Sequence, residues 1–298
     1  MIRTGGIDLG GTKIEAQKFD ADWNVSDKRR IETPTTYLEL VAAVVDQICW
    51  LQKENPNLPV GIAAAGISNP NSGTWISANL PANGMPFVQD VAKAAGGRYT
   101  WLNDCRAFTQ AEAVFGAGQS KGTIVGLVLG TGIAGGVSID GALINKGDGQ
   151  SGEFGHMPIS GAITAAYNLP ILKCGCGRFG CYETYGSGPG MERLAKHILG
   201  RDLTSREIEF GRSNPDISRV WEIWCEINAA LILTIMTTID PRTIVLGGGL
   251  SKIPGIIEAL ESALKRVAWR ELALPSIRLG TRGETAAALG AAYEAYHV

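Results

Sequence analysis

The sequence predicts an α/β protein of two domains, and three observations carry that prediction. The chain has 298 residues, and a typical domain takes roughly 150. Apolar residues make up 45% of the chain, which is enough for a sizeable core. Helix-like and strand-like segments alternate along the sequence, as is typical of helices that pack on sheets.

Two glycine-rich segments, about 120 positions apart, have the same pattern. Residues 6–14 and 126–137 each begin as an apolar strand, turn on small residues and continue as a second strand. Each reads as two strands joined by a glycine-rich hairpin. The repeat predicts two homologous halves, each with its own sheet, that flank a cleft.

The other elements are predicted from the spacing of apolar residues and from turn signals. Predicted helices cover residues 37–53, 107–115, 191–199, 217–238, 254–270 and 285–296, and predicted strands cover 60–65, 99–103 and 243–246. Residues 68–87 and 145–190 are predicted to be irregular. We place residues 1–116 and 285–298 in a smaller amino-terminal domain, and residues 117–284 in a larger domain that carries a metal-binding loop.

Charge and composition exclude several classes of protein. The 27 Lys and Arg residues nearly balance 29 Asp and Glu, for a net charge of −2. The sequence has no basic stripe of the kind that indicates binding to nucleic acid. The most apolar stretch, 229–239, is shorter than the roughly 20 residues that span a bilayer. No export signal precedes the first strand. The sequence therefore predicts a cytoplasmic protein that binds neither nucleic acid nor membrane.

The first glycine-rich turn has the composition of a phosphate-binding loop. Gly10 and Gly11 allow backbone N–H groups to approach phosphate oxygens, and Thr12 adds a hydroxyl donor. Lys13 supplies positive charge, and Asp8 is suited to hold a hydrated Mg²⁺ ion. The alternative is a plain hairpin turn with a capping aspartate.

The second turn repeats this composition and strengthens the nucleotide interpretation. Thr131 and Gly132 are predicted to hold the other side of a triphosphate. Gly248 and Gly249 follow the predicted strand 243–246 and are predicted to admit the adenosine. For these last two glycines, a simple strand-to-helix turn is the alternative.

An Asn-Asp pair ends the short strand at 99–103, where ligands of α/β sheets commonly bind. There the Asp104 carboxylate suits a general base that removes a proton from a substrate hydroxyl during phosphoryl transfer. The alternative is that Asp104 only caps the helix predicted to begin near Ala107.

Three cysteines fall within eight positions: Cys174, Cys176 and Cys181. A disulfide framework would not place them so close together, so a reducing compartment and a metal cluster are the better interpretation. With His156 upstream they form a Cys₃His set, which matches a closed tetrahedral Zn²⁺ site. Three free thiols in a loop are the alternative.

Polar side chains surround this cluster. Glu153, His156 and Glu183 offer the hydrogen-bonding groups that a neutral sugar needs. A histidine bound to zinc through one nitrogen can also donate its other N–H to a substrate oxygen. For the two glutamates, orientation of the zinc ligands is the alternative.

Taken together, these motifs resemble the ROK family (repressor, open reading frame, kinase) of sugar kinases, over nearly the whole chain. The motifs are Asp8-Leu9-Gly10-Gly11-Thr12-Lys13, Asn103-Asp104, Leu129-Gly130-Thr131-Gly132, Gly152-Glu153-Phe154-Gly155-His156-Met157 and the cysteine cluster with Glu183.

The resemblance implies an actin-like ATPase (ribonuclease H-like) fold, ATP with Mg²⁺, a structural Zn²⁺ and a homodimer. It implies transfer of the γ-phosphoryl group to the 6-hydroxyl of a hexose, with Asp104 as the base. By position, Asn103, Glu153, His156 and Glu183 would bind the sugar. Cys105-Arg106 departs from the small residues or Asn that usually follow the Asn-Asp pair.

Two features resemble the N-acetylglucosamine kinases of the family. Residues 78–87, which include Asn79 as a predicted sugar contact, lack the Trp of the glucokinase-like pattern, and residues 157–173 are long. N-acetyl-D-glucosamine is therefore the predicted substrate, with glucokinase, fructokinase or N-acetylmannosamine kinase as alternatives. A sugar-responsive repressor is disfavoured, because such repressors carry an amino-terminal helix-turn-helix and Asp8 lies almost at the start of this chain.

Overall fold

The computed structural model describes residues 2–119, 122–145 and 150–298. Within those residues, the strands are β1 (Ile2–Leu9), β2 (Lys13–Asp20), β3 (Val25–Glu32), β4 (Val60–Ala64), β5 (Ile67–Ser68), β6 (Trp75–Ile76), β7 (Thr100–Asn103), β8 (Thr123–Leu129), β9 (Ile133–Ile139), β10 (Ala142–Leu143), β11 (Thr243–Gly247) and β12 (Ser276–Leu279). The α-helices are α1 (Tyr37–Gln52), α2 (Phe87–Ala95), α3 (Asp104–Phe115), α4 (Gly161–Ala166), α5 (Glu183–Gly186), α6 (Gly188–Leu199), α7 (Ser205–Phe210), α8 (Pro215–Ile239), α9 (Ile256–Val267) and α10 (Ala286–Tyr296).

The first sheet has the strand order β3-β2-β1-β4-β7. Strands β1, β2 and β3 pair antiparallel, whereas β4 and β7 add to β1 in parallel. The register places Leu9, Ala64 and Asn103 in one row across the three parallel strands. The residues around this row therefore meet at the same edge of the sheet.

The second sheet has the order β10-β9-β8-β11-β12 and the same plan. Strands β9 and β10 pair antiparallel, and β11 pairs in parallel with both β8 and β12. The two sheets therefore match strand for strand. This confirms the predicted α/β fold class and the repeat read from the two glycine-rich hairpins.

The chain divides into two compact units. Among the described residues, the first unit holds 2–119, 136–145, 150–151 and 281–298, and the second holds 122–135 and 152–280. Each unit is thus assembled from separated segments of chain. The domain limits derived from the sequence stay a prediction.

The first unit has helices on both faces of its sheet. One core forms where α1 and α2 cover β1, β2 and β4, and the other contains α3 and α10. Helix α10 lies very close to the strands: a Cβ atom added at Gly6 or Gly61 would come within 2.1 or 1.9 Å of the carbonyl oxygens of Ala288 and Ala291. Only glycine therefore allows this helix to approach.

Helix α8 is the central helix of the second unit. Asn214 caps its first turn by accepting hydrogen bonds from the N–H groups of Asp216 and Ile217, and Pro215 follows at the first helical position. The helix is long and apolar enough to cross a membrane by length and composition alone, but 61% of its most apolar window is buried within the protein. It packs against α5, α6, α7 and α9, as a core helix does.

Several elements differ from the sequence-based expectations. Strands β3 and β12 and helices α2 and α7 had no predicted counterpart, and the segment expected to be irregular at 68–87 contains β6. The expected irregular segment 145–190 contains α4 and α5, while residues 146–149 lie outside the described part of the chain. Helix α3 begins at Asp104, three residues earlier than predicted.

Candidate active site

Two carboxylates lie at the carboxyl end of the first sheet. Asp8 is the penultimate residue of β1, and Asp104 directly follows β7. Burial, followed by the charge of Asp104, raises the pKa of Asp8 from 3.8 to about 6. Burial also raises the pKa of Asp104. Both carboxyl groups are therefore easier to protonate than an ordinary aspartate.

The capping residue of α3 is Asn103, not Asp104. The Asn103 Oδ1 atom accepts hydrogen bonds from the N–H groups of Cys105 and Arg106, and its Nδ2 atom donates to the carbonyl of Gly66 at 3.1 Å. Asn103 is only 8% exposed. The alternative function considered for Asp104, helix capping, is thus performed by its neighbour, although Asp104 Oδ1 also accepts from the Cys105 N–H at 2.9 Å.

The two residues that depart from the family pattern, Cys105 and Arg106, differ in burial. Arg106 is 2% exposed, and its Nε atom donates to the carbonyl of Ser151 at 3.0 Å. Cys105 is half-buried, and its carbonyl accepts from the Thr109 hydroxyl. Arg106 therefore belongs to the interior of the first unit and restrains the backbone at Ser151.

The first glycine-rich turn is closed by hydrogen bonds. The Gly10 N–H donates to the carbonyl of Lys13 at 3.0 Å, and the Gly10 carbonyl accepts from the Thr33 hydroxyl at 2.7 Å. Asn79 lies beside this turn, because a Cβ atom on Gly11 would be 3.0 Å from the Asn79 carbonyl oxygen. Thr12 is exposed at the tip of the turn.

A charged network that the sequence did not reveal surrounds Lys13. The Lys13 Nζ atom lies 3.3 Å from Glu284 Oε2, and the same oxygen accepts from Arg30 Nη2 at 2.9 Å. Arg30 also pairs with the carboxylate of Glu15. Glu284 is about 270 positions from Lys13 in sequence, so no local pattern connects the two.

The second glycine-rich turn, residues 130–133, lies beside Glu183. The Gly130 N–H donates to the Gly132 carbonyl at 3.0 Å, and the Ile133 N–H donates to Glu183 Oε2 at 2.9 Å. Thr131 and Gly132 are exposed. This turn therefore presents its tip to solvent while Glu183 holds its base.

The glycines after β11 lie next to this turn. Gly248 has a φ of +84°, and a Cβ atom there would be 2.2 Å from the carbonyl oxygen of Leu129. Nothing lies within 4 Å of the corresponding position on Gly249. The positive φ and the close contact with Leu129 therefore require glycine at position 248, as expected if this residue only forms a strand-to-helix turn. Gly249, in contrast, lies beside open space.

The Cys₃His set comes together as predicted. The ligating atoms of His156, Cys174, Cys176 and Cys181 all lie within 4.8 Å of one another. The Cys174 Sγ–His156 Nδ1 distance is 3.6 Å and the Cys176 Sγ–Cys181 Sγ distance is 3.7 Å.

These two distances match the ligand spacing of a tetrahedral metal site, and the remaining pairs of ligand atoms lie within 4.8 Å. Zn–S bonds of about 2.3 Å and Zn–N bonds of about 2.0 Å place ligand atoms roughly 3.5–3.8 Å apart around a tetrahedron. Burial and the neighbouring thiols raise the pKa of Cys181 to about 12. A divalent cation would supply the charge that stabilises the thiolates in this position.

The two predicted acidic sugar contacts differ in their surroundings. Glu153 Oε2 lies 3.8 Å from His156 Nε2, and both side chains are about 30% exposed. Glu183 contacts the Ile133 N–H and lies 3.8 Å from Cys174 Sγ. Glu153 is therefore near the solvent side of the cluster, whereas Glu183 lies between the cluster and the second turn.

Comparison with known families supports the resemblance. The ROK family profile matches residues 4–297. The chain belongs to the ROK family. A relative from Shewanella sp. (strain ANA-3), named N-acetylgalactosamine kinase, is 36% identical over 292 residues, which cover 96% of this chain and 94% of that protein. An N-acetyl-D-glucosamine kinase from Pectobacterium atrosepticum is 33% identical, with coverage of 96% and 97%.

Solved ROK structures have the same fold over the whole chain. The ROK hexokinase from Thermus thermophilus superposes with a TM-score of 0.84 at 29% identity, covering 99% of this chain and 98% of that protein. A ROK glucokinase from Streptomyces griseus, solved with glucose and AMPPNP, gives 0.77 at 25% identity with 99% coverage of both chains. The actin-like ATPase fold implied by the sequence motifs is therefore confirmed.

Proposed function

We propose that this protein is an ATP-dependent kinase that phosphorylates the 6-hydroxyl of N-acetyl-D-glucosamine. Membership of the ROK family over residues 4–297 and the kinase relatives support the enzyme class. The observation that carries the chemistry is the Asp104 carboxyl, whose pKa is raised by burial at the carboxyl end of β7. A base with a raised pKa accepts a hydroxyl proton more readily.

In the proposed reaction, Asp104 removes the proton from the sugar 6-hydroxyl as its oxygen attacks the γ-phosphorus of ATP. The bond from the γ-phosphorus to the β–γ bridging oxygen breaks, and the products are ADP and the sugar 6-phosphate. The two glycine-rich turns and Lys13 are proposed to bind the phosphates, with Gly248 and Gly249 near the adenosine. Asp8 would hold Mg²⁺, which neutralises phosphate charge.

The sugar is proposed to bind to Asn79, Asn103, Glu153, His156 and Glu183. Asn79 is exposed, whereas both polar atoms of Asn103 make internal hydrogen bonds. Asn103 is therefore also positioned to keep the start of α3, and with it Asp104, in place. The exposed residues of the 79–87 loop are Asn79, Asn83, Gly84, Met85 and Pro86. The loop has no Trp, and we propose that this leaves room for an acetamido group.

The Cys₃His cluster is proposed to hold a structural Zn²⁺. The ligand distances support this assignment, and four protein ligands leave no coordination position for a substrate. A homodimer in the cytoplasm is proposed from the family resemblance.

The decisive experiment measures kcat/KM for several sugars at one concentration of ATP and Mg²⁺. We expect N-acetylglucosamine to exceed glucose, N-acetylmannosamine and fructose. A site that pairs a substrate amide rejects analogues without it by orders of magnitude, because its own polar groups lose their partners. A higher value for glucose or fructose would refute the specificity, and no phosphorylation of any sugar would refute the enzyme class.

N-acetylgalactosamine is a second candidate substrate, favoured by the 36% identical relative of that name. The two sugars share the acetamido group and differ in the orientation of the 4-hydroxyl. The same assay with N-acetylgalactosamine included separates them, because only contacts to the 4-hydroxyl can distinguish the two.

A further inference from the structure

The second glycine-rich turn (residues 130–133, from here the second turn) is held by hydrogen bonds with residues next to the Cys₃His cluster. The Gly130 carbonyl accepts from the Gly188 N–H at 2.8 Å, at the start of α6. The Ile133 N–H donates to Glu183 Oε2 at 2.9 Å. These bonds fix both ends of the turn and leave Thr131 and Gly132 exposed between them.

Packing around Ile133 is equally tight. Ile133 is 2% exposed. A Cβ atom on Gly155 would be 2.4 Å from the Ile133 carbonyl oxygen, and one on Gly186 would be 2.9 Å from its Cδ1 atom. A Cβ atom on Gly132 would be 2.8 Å from Glu183 Oε2. The turn therefore has little freedom to move while Gly155 and Glu183 stay in place.

The residues that hold Ile133 are close in sequence to the metal ligands. Gly155 directly precedes His156, and Glu183 follows Cys181 by two positions. The other carboxylate oxygen of Glu183 lies 3.8 Å from Cys174 Sγ. A metal ion bound by His156, Cys174 and Cys181 would thereby restrain two neighbouring residues. These are Gly155, which packs against the Ile133 carbonyl, and Glu183, which accepts from the Ile133 N–H.

We propose that the Cys₃His cluster, when it holds its metal ion, positions the second turn through Glu183 and Gly155. Loss of the metal ion would then lower the affinity for the nucleotide. Glu183 is then a positioning residue for the phosphate-binding turn, in addition to its proposed contact with the sugar. The inference rests on the proposed function in one respect, namely that the second turn binds the nucleotide phosphates.

Variants of Glu183 separate positioning from sugar binding. Glu183→Gln keeps an oxygen that can accept from the Ile133 N–H, whereas Glu183→Ala removes it. We expect Glu183→Ala to raise the Kd for ADP-Mg²⁺, measured calorimetrically without sugar, by about tenfold, the lower end of what loss of a residue that supports a metal ligand costs in metal affinity or activity. Glu183→Gln should restore most of that affinity.

A second pair of variants acts without removing a polar side chain. Gly155→Ala forces a Cβ atom against the Ile133 carbonyl, whereas nothing lies within 4 Å of the same position on Gly161. Gly155→Ala should weaken ADP binding and Gly161→Ala should not. Cys176→Ser, confirmed to lack zinc by elemental analysis, should weaken ADP binding as Gly155→Ala does.

Hydrogen exchange at the Ile133 amide gives a readout that does not depend on activity. The amide should exchange faster in Glu183→Ala and in zinc-free Cys176→Ser than in the wild type. Unchanged exchange in both variants, or an unchanged ADP Kd with only the sugar KM raised, would overturn the proposal. If wild-type protein bound no ADP, the proposed function would fail, while Ile133 exchange would still decide whether the cluster restrains the turn.

Discussion

Asp104 is the residue on which the proposed reaction depends most. Asp104→Asn keeps the shape of the side chain but cannot take a proton from a hydroxyl. We expect kcat to fall by about 10²–10⁴-fold, with little change in the Kd for the sugar. Steady-state kinetics and sugar-binding calorimetry test this prediction, with the exposed residue Asp22 changed to Asn as the control. Near wild-type kcat in Asp104→Asn would show that another group takes the proton.

Asp8 should make the ligand-free protein less stable as the pH rises. The carboxyl ionises near 3.8 when unfolded and near 6 when folded, so the folded state holds more protons between these values. Stability is then lost as the pH rises through this window.

The variant Asp8→Asn removes this titration. We expect it to exceed the wild type in free energy of unfolding by about 1–3 kcal/mol at pH 7.5, and by much less near pH 4. Thermal or urea unfolding without Mg²⁺ or nucleotide provides the measurement. An equal difference at both pH values would contradict the assignment of the raised pKa to Asp8.

At the residue scale, the sequence identified the candidate catalytic and ligating groups better than it identified the residues that hold those groups in place. The Cys₃His set was predicted because cysteines so close together in sequence have few other uses. The contacts of Glu284 with Lys13, and of Glu183 with the Ile133 N–H, join residues about 270 and 50 positions apart. Only the tertiary fold brings such residues together, so no local pattern reports them.

The loop that carries the cluster is the element most dependent on its metal. Cys176→Ser should lose zinc, lower the Tm and raise the KM for sugar, because His156 belongs to both the cluster and the proposed sugar site. Cys49→Ser is a matched control, since Cys49 is also an exposed thiol but lies in α1. Elemental analysis is preferable to chelation, which would also remove Mg²⁺. Zinc-free Cys176→Ser with wild-type KM would contradict the prediction.

At the element scale, most strands with a buried apolar run were predictable, whereas the charged edge strand β3 and the short helices α2 and α7 were not. Strand β4 is buried along its whole length, and its apolar run was predicted within one residue. Strand β3 contains Asp27, Lys28, Arg29 and Arg30, so it has no apolar alternation, and its strand conformation comes from pairing with β2. Strand β12, at the edge of the second sheet, buries only Ile277 of its four residues, so it has no continuous apolar run.

For the whole molecule, the internal repeat was the most informative feature of the sequence, because it predicted both sheets at once. The division of the segments between the two compact units is a separate matter from the repeat. That division depends on contacts such as the one between α10 and the first sheet, which are distant in sequence.

This arrangement makes the carboxyl-terminal segment essential to the first unit. Helix α10 packs on β1, β4 and α3 and buries Ala288, Ala291 and Ala292 completely. A chain that ends at Gly280 lacks this helix, so one face of the first sheet loses its cover. We expect the truncated chain to lose the cooperative unfolding of the first unit.

Circular dichroism and limited proteolysis of the truncated chain test this expectation, with protection confined to the second unit as the predicted result. Deletion of Val298 alone, which is 89% exposed, serves as the control and should leave the protein folded. Gly61→Ala is an independent variant, because its Cβ atom would meet the Ala291 carbonyl at 1.9 Å. It should destabilise the first unit by roughly 1–3 kcal/mol or more, as overpacking of a close contact does. A stable, protease-resistant first unit in the truncated chain would show that α10 is dispensable for that unit's core.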